Sequence, residues 1–277
     1  MIIDRVDAFP AYYSWSGYFK FLAGATEHVV VFVKIVADDG TVGWGQSLPV
    51  PKWSYERPET ALVAIHHYYG PALTGLDPLD IEAAHQAMDR ALAPSFTTGM
   101  PITRAGLDIA LHDLAGKLSG KSLARMWDRP SGQGLTLNWT TNVRTLDELD
   151  AQLQSAAERG YRNFNLKVAP DAQFDVELVK RIRRQMPDAH IWVDANGGYD
   201  PVAALEVAPK LADAGADVLE APVRPNQLRA YQALKKQGAL PITMDEGVIS
   251  VVEAEEFIRS ERECQDDICE SDSCRHE

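Results

Sequence analysis

The spacing of apolar residues changes once along the chain, near residue 130, and the two halves read as different architectures. Residues 2–9 alternate loosely between apolar and polar, as an edge strand does. His28 to Val36 (HVVVFVKIV) is a dense β-branched run, and Ala37-Asp38-Asp39-Gly40 separates it from Thr41-Val42-Gly43-Trp44-Gly45. Asp-Gly between two such runs signals a hairpin, so the opening predicts a three-stranded antiparallel sheet. Residues 11–24, rich in Tyr, Trp, Gly and Phe, read as the loop between strands one and two. Its aromatics Tyr12, Tyr13, Trp15, Tyr18 and Phe19, together with Trp53, either cover the sheet or line a substrate entrance. From Glu56 to Trp127 the apolar spacing turns to three and four. Pro58 suits a first helical turn, and Pro78 is expected to open the next helix after the Gly75-Leu76-Asp77 turn. A third helix shows a wide apolar face through Ile102, Ala105, Leu107, Ile109, Ala110, Leu111, Leu114 and Leu118, and Gly120 stops it. Sheet first and helices after describe an α+β domain over residues 1–130, with Gly132-Gln133-Gly134 as its boundary.

Beyond the boundary, short apolar runs alternate with helical periodicity. Strands are predicted over 135–141, 161–168, 190–194, 217–220 and 240–245, and helices over 145–159, 171–185, 201–214, 226–237 and 251–259. Thr145 reads as an N-cap, with Glu148 closing a capping box. A strand with its crossover helix takes about 25–30 residues, so these are successive βα units of a parallel sheet. A closed eightfold barrel needs about 200–250 residues. Residues 131–259 therefore read as an incomplete TIM-type (β/α) barrel, which makes the whole chain α/β with an N-terminal α+β capping domain.

The chemistry lies in the phase of that repeat. Lys167, Asp194, Glu220 and Asp245 are 27, 26 and 25 residues apart, and each ends one of the strand runs. Parallel strands end on one rim, so one amine and three carboxylates meet there, the makings of a metal-assisted proton-abstraction site. Taken singly, each residue has a plainer role: a strand-end Asp is often a helix cap, Glu220 before Ala221-Pro222 a loop carboxylate, Lys167 a solvated strand end. Their common phase favours the shared site. Asn196, two residues past Asp194, is placed to bond the amine or the substrate, and Gly197-Gly198 lets backbone approach closely. His66, His67, His85, His112 and His190 fall outside the phase and read as surface or core residues.

Composition adds bounds. At 277 residues and 45% hydrophobic, the chain can bury two cores. No apolar run approaches the roughly 20 residues of a bilayer span. Met1-Ile2-Ile3-Asp4-Arg5 lacks a secretory profile, and a net charge of −13 argues against nucleic acid and anionic membranes. A cytoplasmic protein is expected. From residue 260 the composition shifts: seven acids, two arginines and Cys264, Cys269 and Cys274 crowd into the tail. A metal site of those cysteines with His276 matches no familiar zinc spacing. The preferred reading of 260–277 is an atypical, disordered, foreign or frameshifted end on a truncated chain.

These residues resemble the mandelate racemase and muconate lactonising branch of the enolase superfamily over residues 1–259. The resemblance rests on the sheet-plus-helices domain, on Ala105-Gly106-Leu107-Asp108-Ile109-Ala110-Leu111-His112-Asp113-Leu114-Ala115-Gly116-Lys117, and on the spaced acids. It implies Mg²⁺ held by Asp194, Glu220 and Asp245, with Asp245 preferred to the adjacent Glu246 as third ligand, and Lys167 as the base. The family's Lys-x-Lys reads Asn165-Leu166-Lys167 here, one positive charge fewer near the substrate carboxylate. Asn165, Asn196 and Glu246 are then assigned to the substrate. A second lysine of the muconate type would fall near Cys269, no lysine follows Lys236, and His276 does not fit the racemase pattern. The resemblance thus implies a racemase, cycloisomerase or dehydratase of a small carboxylate, with a homo-oligomer left open. The alternative is an inactive fragment or pseudoenzyme that keeps a metal- or ligand-binding face.

Overall fold

The computed structural model describes residues 1–14, 28–94, 99–132 and 134–259, and the chain divides after Gly134 into two compact units. In the first, β1 (Ile3–Tyr13), β2 (His28–Ala37) and β3 (Val42–Ser47) form an antiparallel sheet in that order. The Asp-Gly hairpin pairs Val36 with Val42 and Val31 with Ser47. Strand β1 reaches Tyr13, past the expected limit, so Tyr12 and Tyr13 belong to the sheet and not to a loop. Aromatic rings suit a pleated ladder, and Tyr13 packs on its cross-strand partner His28 with ring centroids 5.6 Å apart. Tyr12 and Trp53 are exposed. Trp15, Tyr18, Phe19 and the tail 260–277, cysteines and His276 included, lie outside the described residues.

Helix α1 (Pro58–Ala64) starts on its proline and continues through a π-helical stretch, Ile65–Tyr69, into α2 (Gly70–Leu73). Helix α3 (Ile81–Ala91) is capped by Asp80, whose carboxylate accepts from Ala83 N at 2.9 Å. Pro78 therefore sits in the preceding turn and does not open the helix, because the Asp cap satisfies the first free N–H groups two residues later. Helix α4 (Pro101–Ser119) ends at Gly120 with φ +65°, and a short α5 (Leu123–Met126) follows. Glu56, fully buried, caps α4 from outside: its carboxylate accepts from Ile102 N and Thr103 N, each at 2.8 Å, and from Thr103 Oγ1 at 2.5 Å. A carboxylate at a helix N-terminus meets both the free donors and the positive end of the dipole.

Two glycines fix how α4 lies on the sheet. A Cβ on Gly45 would collide with the carbonyl oxygen of Gly106, and one on Gly43 with that of Ala110. Helix and strand backbones thus meet directly, and Leu107, Ala110, Leu111 and Leu114 close over Val31, Val33 and Ile35.

In the second unit, β4 (Asn138–Thr141), β5 (Asn163–Lys167), β6 (Ile191–Asp194), β7 (Val218–Glu220) and β8 (Ile242–Thr243) pair parallel in chain order. Between them run α6 (Leu146–Glu158), α7 (Ala172–Gln185), α8 (Pro201–Ala214) and α9 (Leu228–Gln237), and residues 251–259 form α10. The strands are shorter than the apolar runs. Leu135 and Leu137 stay exposed before β4, and β8 keeps only two ladder residues, which puts Asp245 in the turn beyond it. The Thr145 hydroxyl caps α6 by accepting from Glu148 N at 3.1 Å. The Glu148 carboxylate accepts chiefly from Arg144 N at 2.7 Å, with the backbone N–H of Thr145 a weaker contributor.

Alternation along the strands sorts the two faces. Phe164, Leu166, Ile191, Val193 and Leu219 face the helices and meet Leu149, Leu178, Val179, Ile182, Val207, Leu211 and Leu234 in a buried core. Asn165, Lys167, Trp192, Asp194 and Glu220 take the alternate positions on the opposite face. Five βα units of this kind build the open part of a (β/α) barrel.

The close approach of α4 to β3 is testable by unfolding in denaturant. Gly45→Ala is expected to cost about 3 kcal/mol, since the clash falls on backbone that cannot rotate away. Gly134, whose Cβ position is open and whose φ is not left-handed, serves as the control. Equal losses at both positions contradict the backbone contact.

Candidate active site

Register sets the first distances. Lys167 is the parallel partner of Asp194, Asp194 of Glu220, and Glu220 of Thr243. Neighbouring strands stand about 4.8 Å apart, so three charged side chains from the same face emerge side by side at the rim. Asp245 lies two residues past Thr243, one step further up the same face.

The Lys167 ammonium is ion-paired with Asp194 Oδ2; the amine is 14% exposed and the carboxylate 2%. Asp194 is further held by its own loop. Asn196 N donates to Asp194 Oδ1 at 2.8 Å, and Asn196 Nδ2 donates to Asp194 Oδ2 at 3.1 Å. The same amide reaches Glu246 Oε1 at 3.0 Å, which links the loops after β6 and β8. Asn196 does this from φ +45°, a left-handed conformation that asparagine tolerates better than most residues. Its Oδ1 is buried with no hydrogen-bond partner among the described residues.

The carboxylates strain against one another. Glu220 is pushed up to about 8, first by burial, then by the Asp194 and Asp245 charges, with Lys167 pulling the other way. Asp245 is raised by burial and by Glu246 and Asp194. Four carboxyl groups thus share a rim with one ammonium.

The residues assigned in the sequence to metal, base and substrate lie on this face or its loops. Lys167, Asp194, Asn196, Glu220, Asp245 and Glu246 sense one another directly, and Asn165 sits one step below Lys167 on β5. The histidines lie elsewhere: His66 bonds Ala8 O at 2.9 Å, His85 bonds Asp108 at 2.8 Å, and His112 bonds Asp108 O at 3.0 Å. Sequence reasoning missed Asp175 and Tyr199. Asp175 is 3% exposed, and its Oδ2 accepts from Ala169 N at 2.9 Å and from Tyr199 Oη at 2.6 Å. Burial and the adjacent Asp175 charge hold the Tyr199 hydroxyl protonated far above the usual phenol range. The signal was present: Asp175 stands in the apolar phase of α7 with Leu178, Val179 and Ile182.

Whether these residues suit a magnesium ion turns on donors and spacing. Carboxylate oxygens in excess of positive charge are the ligand chemistry of a hard divalent cation. Among the described residues, no three His, Cys, Asp or Glu side chains are drawn together closely enough to hold a metal as they stand. The donor set fits, with the Asp194 carboxylate held by Lys167 and Asn196.

Comparison with known proteins gives the wider setting. Residues 22–127 match the family described as mandelate racemase/muconate lactonizing enzyme, N-terminal domain, and residues 148–275 match enolase C-terminal domain-like. The second match thus extends into the compositionally distinct tail. A chloromuconate cycloisomerase of a Pseudomonas species is 32% identical over 235 residues, 84% of this chain and 62% of that protein. The chain therefore spans about three-fifths of the length of the curated relatives it matches. The structure of muconate lactonizing enzyme from Pseudomonas putida superposes with a TM-score of 0.83 at 25% identity, covering 94% of this chain and 70% of that one. A dipeptide epimerase from Cytophaga hutchinsonii, complexed with Mg and the dipeptide D-Ala-L-Val, shares the fold with a TM-score of 0.85 at 24% identity, over 94% and 70% of the two chains. Among the described residues no helix is long and apolar enough to cross a membrane.

The raised Glu220 carboxyl gives a pH dependence in chelator-containing buffer. Its folded value, about 8, exceeds the ordinary 4.5, so the folded state binds this proton more tightly than the unfolded state. The resulting stabilisation is full below pH 4.5 and is lost as pH rises through 8. Glu220→Gln, which mimics the protonated form, is expected to melt increasingly above the wild type between pH 5 and pH 9. Melting curves that stay parallel across this range contradict the raised Glu220 carboxyl.

Proposed function

The chain belongs to the mandelate racemase and muconate lactonising branch of the enolase superfamily, and we propose that its rim removes the proton alpha to the carboxylate of a small organic acid. The observation that carries this reading is the ion pair of Lys167 with Asp194, set beside Glu220 and Asp245 on adjacent strand ends. Loss of an alpha proton leaves an enediolate with two negative charges close together, and its cost falls only where positive charge is held ready.

Asp194, Glu220 and Asp245 are the residues that would hold Mg²⁺. Bound there, the cation would supply positive charge to the substrate carboxylate and compete for the Asp194 oxygen now paired with Lys167. Lys167, as the neutral amine, would then take the alpha proton onto Nζ. Asn196 keeps Asp194 and Glu246 at fixed separation through its two amide bonds, and its unpartnered Oδ1 can accept from a substrate N–H or O–H. Asn165, below Lys167, presents a neutral amide where the family pattern has a second lysine. One positive charge fewer then stands near the substrate carboxylate.

Whether racemisation, cycloisomerisation or dehydration follows depends on the group that meets the opposite face of the substrate. At the described strand ends, Lys167 is the one amine among the converging acids. That favours, as a second reading, a face that binds cation and ligand and exchanges one proton without turnover.

Proton exchange separates these readings from no function at all. The protein is incubated with Mg²⁺ in D₂O with muconolactone, N-acylated amino acids, dipeptides and acid sugars, and loss of the alpha-proton signal is followed by NMR. Exchange into at least one carboxylate is expected, and Lys167→Ala is expected to slow it by about 10³-fold while Mg²⁺ binding persists. Exchange that survives in Lys167→Ala overturns the assignment of the base.

A further inference from the structure

We propose that Asp175 is a positioning residue: its buried carboxylate ties the loop after Lys167 to the loop after Asp194 and so holds the amine in register with the acid. The inference deepens the proposed function and rests on it for the roles of Lys167 and Asp194. The geometry stands independently. Asp175 lies in the first turns of α7, pointing inward with the core residues Leu178, Val179 and Ile182, where an apolar side chain is the ordinary choice. A carboxylate buried there has to be matched by donors, and two of them come from rim loops.

Ala169 N, two residues past Lys167, donates at 2.9 Å, and Tyr199 Oη, five residues past Asp194, donates at 2.6 Å, both to the same Oδ2. A single oxygen thus joins two loops that leave adjacent strands. Ala169 sits at φ +66°, a conformation that alanine holds only when its surroundings impose it. The two loops also touch: a Cβ on Gly198 would stand 2.8 Å from the Ala169 Cβ, so the second loop must carry glycine where it crosses the first. Val168 N donates to Asp194 O at 2.9 Å, which continues the β5–β6 ladder past the strand ends up to this clamp. On its far side the second loop is bonded to β7 and its loop, through Gly197 N to Ala221 O at 2.7 Å and Tyr199 N to Pro222 O at 3.2 Å. The acid on α7 therefore ties the two loops beyond the last ladder bond, and it acts on Lys167 through two residues of backbone.

The test compares amide hydrogen exchange of the full chain in the wild type, Asp175→Ala, Asp175→Asn and Tyr199→Phe, alongside Mg²⁺ binding by calorimetry. Asp175→Ala is expected to speed exchange at 168–171 and 195–199 by at least about tenfold, with Phe164, Leu166 and the middle of α7 unchanged. Asp175→Asn, whose amide oxygen can take the place of Oδ2, is expected to restore protection in both loops. Tyr199→Phe is expected to release 195–199 alone, and it decides the matter if Asp175→Ala does not fold. Magnesium affinity and Lys167-dependent proton exchange are expected to fall with loop protection and to recover with it in Asp175→Asn. Loops that stay protected in Asp175→Ala overturn the proposal, as does acceleration spread evenly through strands and helices, or unchanged proton exchange with both loops released. A wild type that neither binds Mg²⁺ nor exchanges protons overturns the proposed function instead, leaving the loop measurements to judge the clamp.

Discussion

Parallel pairing in unbroken register is the constraint from which the rest follows. It sets Lys167, Asp194 and Glu220 on three neighbouring strand ends of one face and leaves them no lateral freedom. Two like unit charges at about 5 Å repel by roughly 3 kcal/mol at an effective dielectric constant of 20, so the carboxylates cannot all ionise cheaply around one ammonium. Burial first, and then that conflict, raise the Glu220 and Asp245 carboxyls. A carboxyl raised in this way keeps its proton at a pH where an ordinary carboxylate has lost it. The strand ladder supplies the force that keeps the acids together, and the helix-side core, with Phe164, Leu166, Ile191 and Val193 fully buried, supplies the ladder's rigidity.

Much of this was legible in the chain because two periods coincide. The apolar runs that end in Lys167, Asp194, Glu220 and Asp245 recur at the length of a βα unit, and the polar residue takes the same place in each. Proline and glycine marked ends well where backbone geometry is imposed by the residue itself, as at Pro58, Pro201 and Gly120. Pro78 misled because a better cap, Asp80, followed it: a side chain that satisfies free N–H groups outweighs a ring that merely tolerates their absence. At the Thr145 capping box, Glu148 also found the N–H of Arg144, at 2.7 Å, and that bond dominates.

What the sequence concealed was contact between segments far apart in the chain. Apolar runs overstate strands, because hydrophobic residues continue past the last ladder bond, as Leu135 and Leu137 do before β4. The close backbone approach of Gly43 and Gly45 to α4 is invisible until the helix is docked, although two glycines in a β-branched strand hinted that something presses on it. Asp175 carried a clearer sign, an acid in the core phase of an amphipathic helix, and its partners Ala169 and Tyr199 emerge only when α7 is laid against the rim loops.

The central claim is that carboxylates from three successive strand ends close on one divalent cation. Titration with Mn²⁺ followed by electron paramagnetic resonance tests it most directly, since bound and free ion are read separately and no substrate is needed. One site per chain is predicted, displaced by Mg²⁺ and abolished in each of Asp194→Asn, Glu220→Gln and Asp245→Asn, while Glu148→Gln leaves it intact. Binding that survives all three rim substitutions, or no binding in the wild type, contradicts the account.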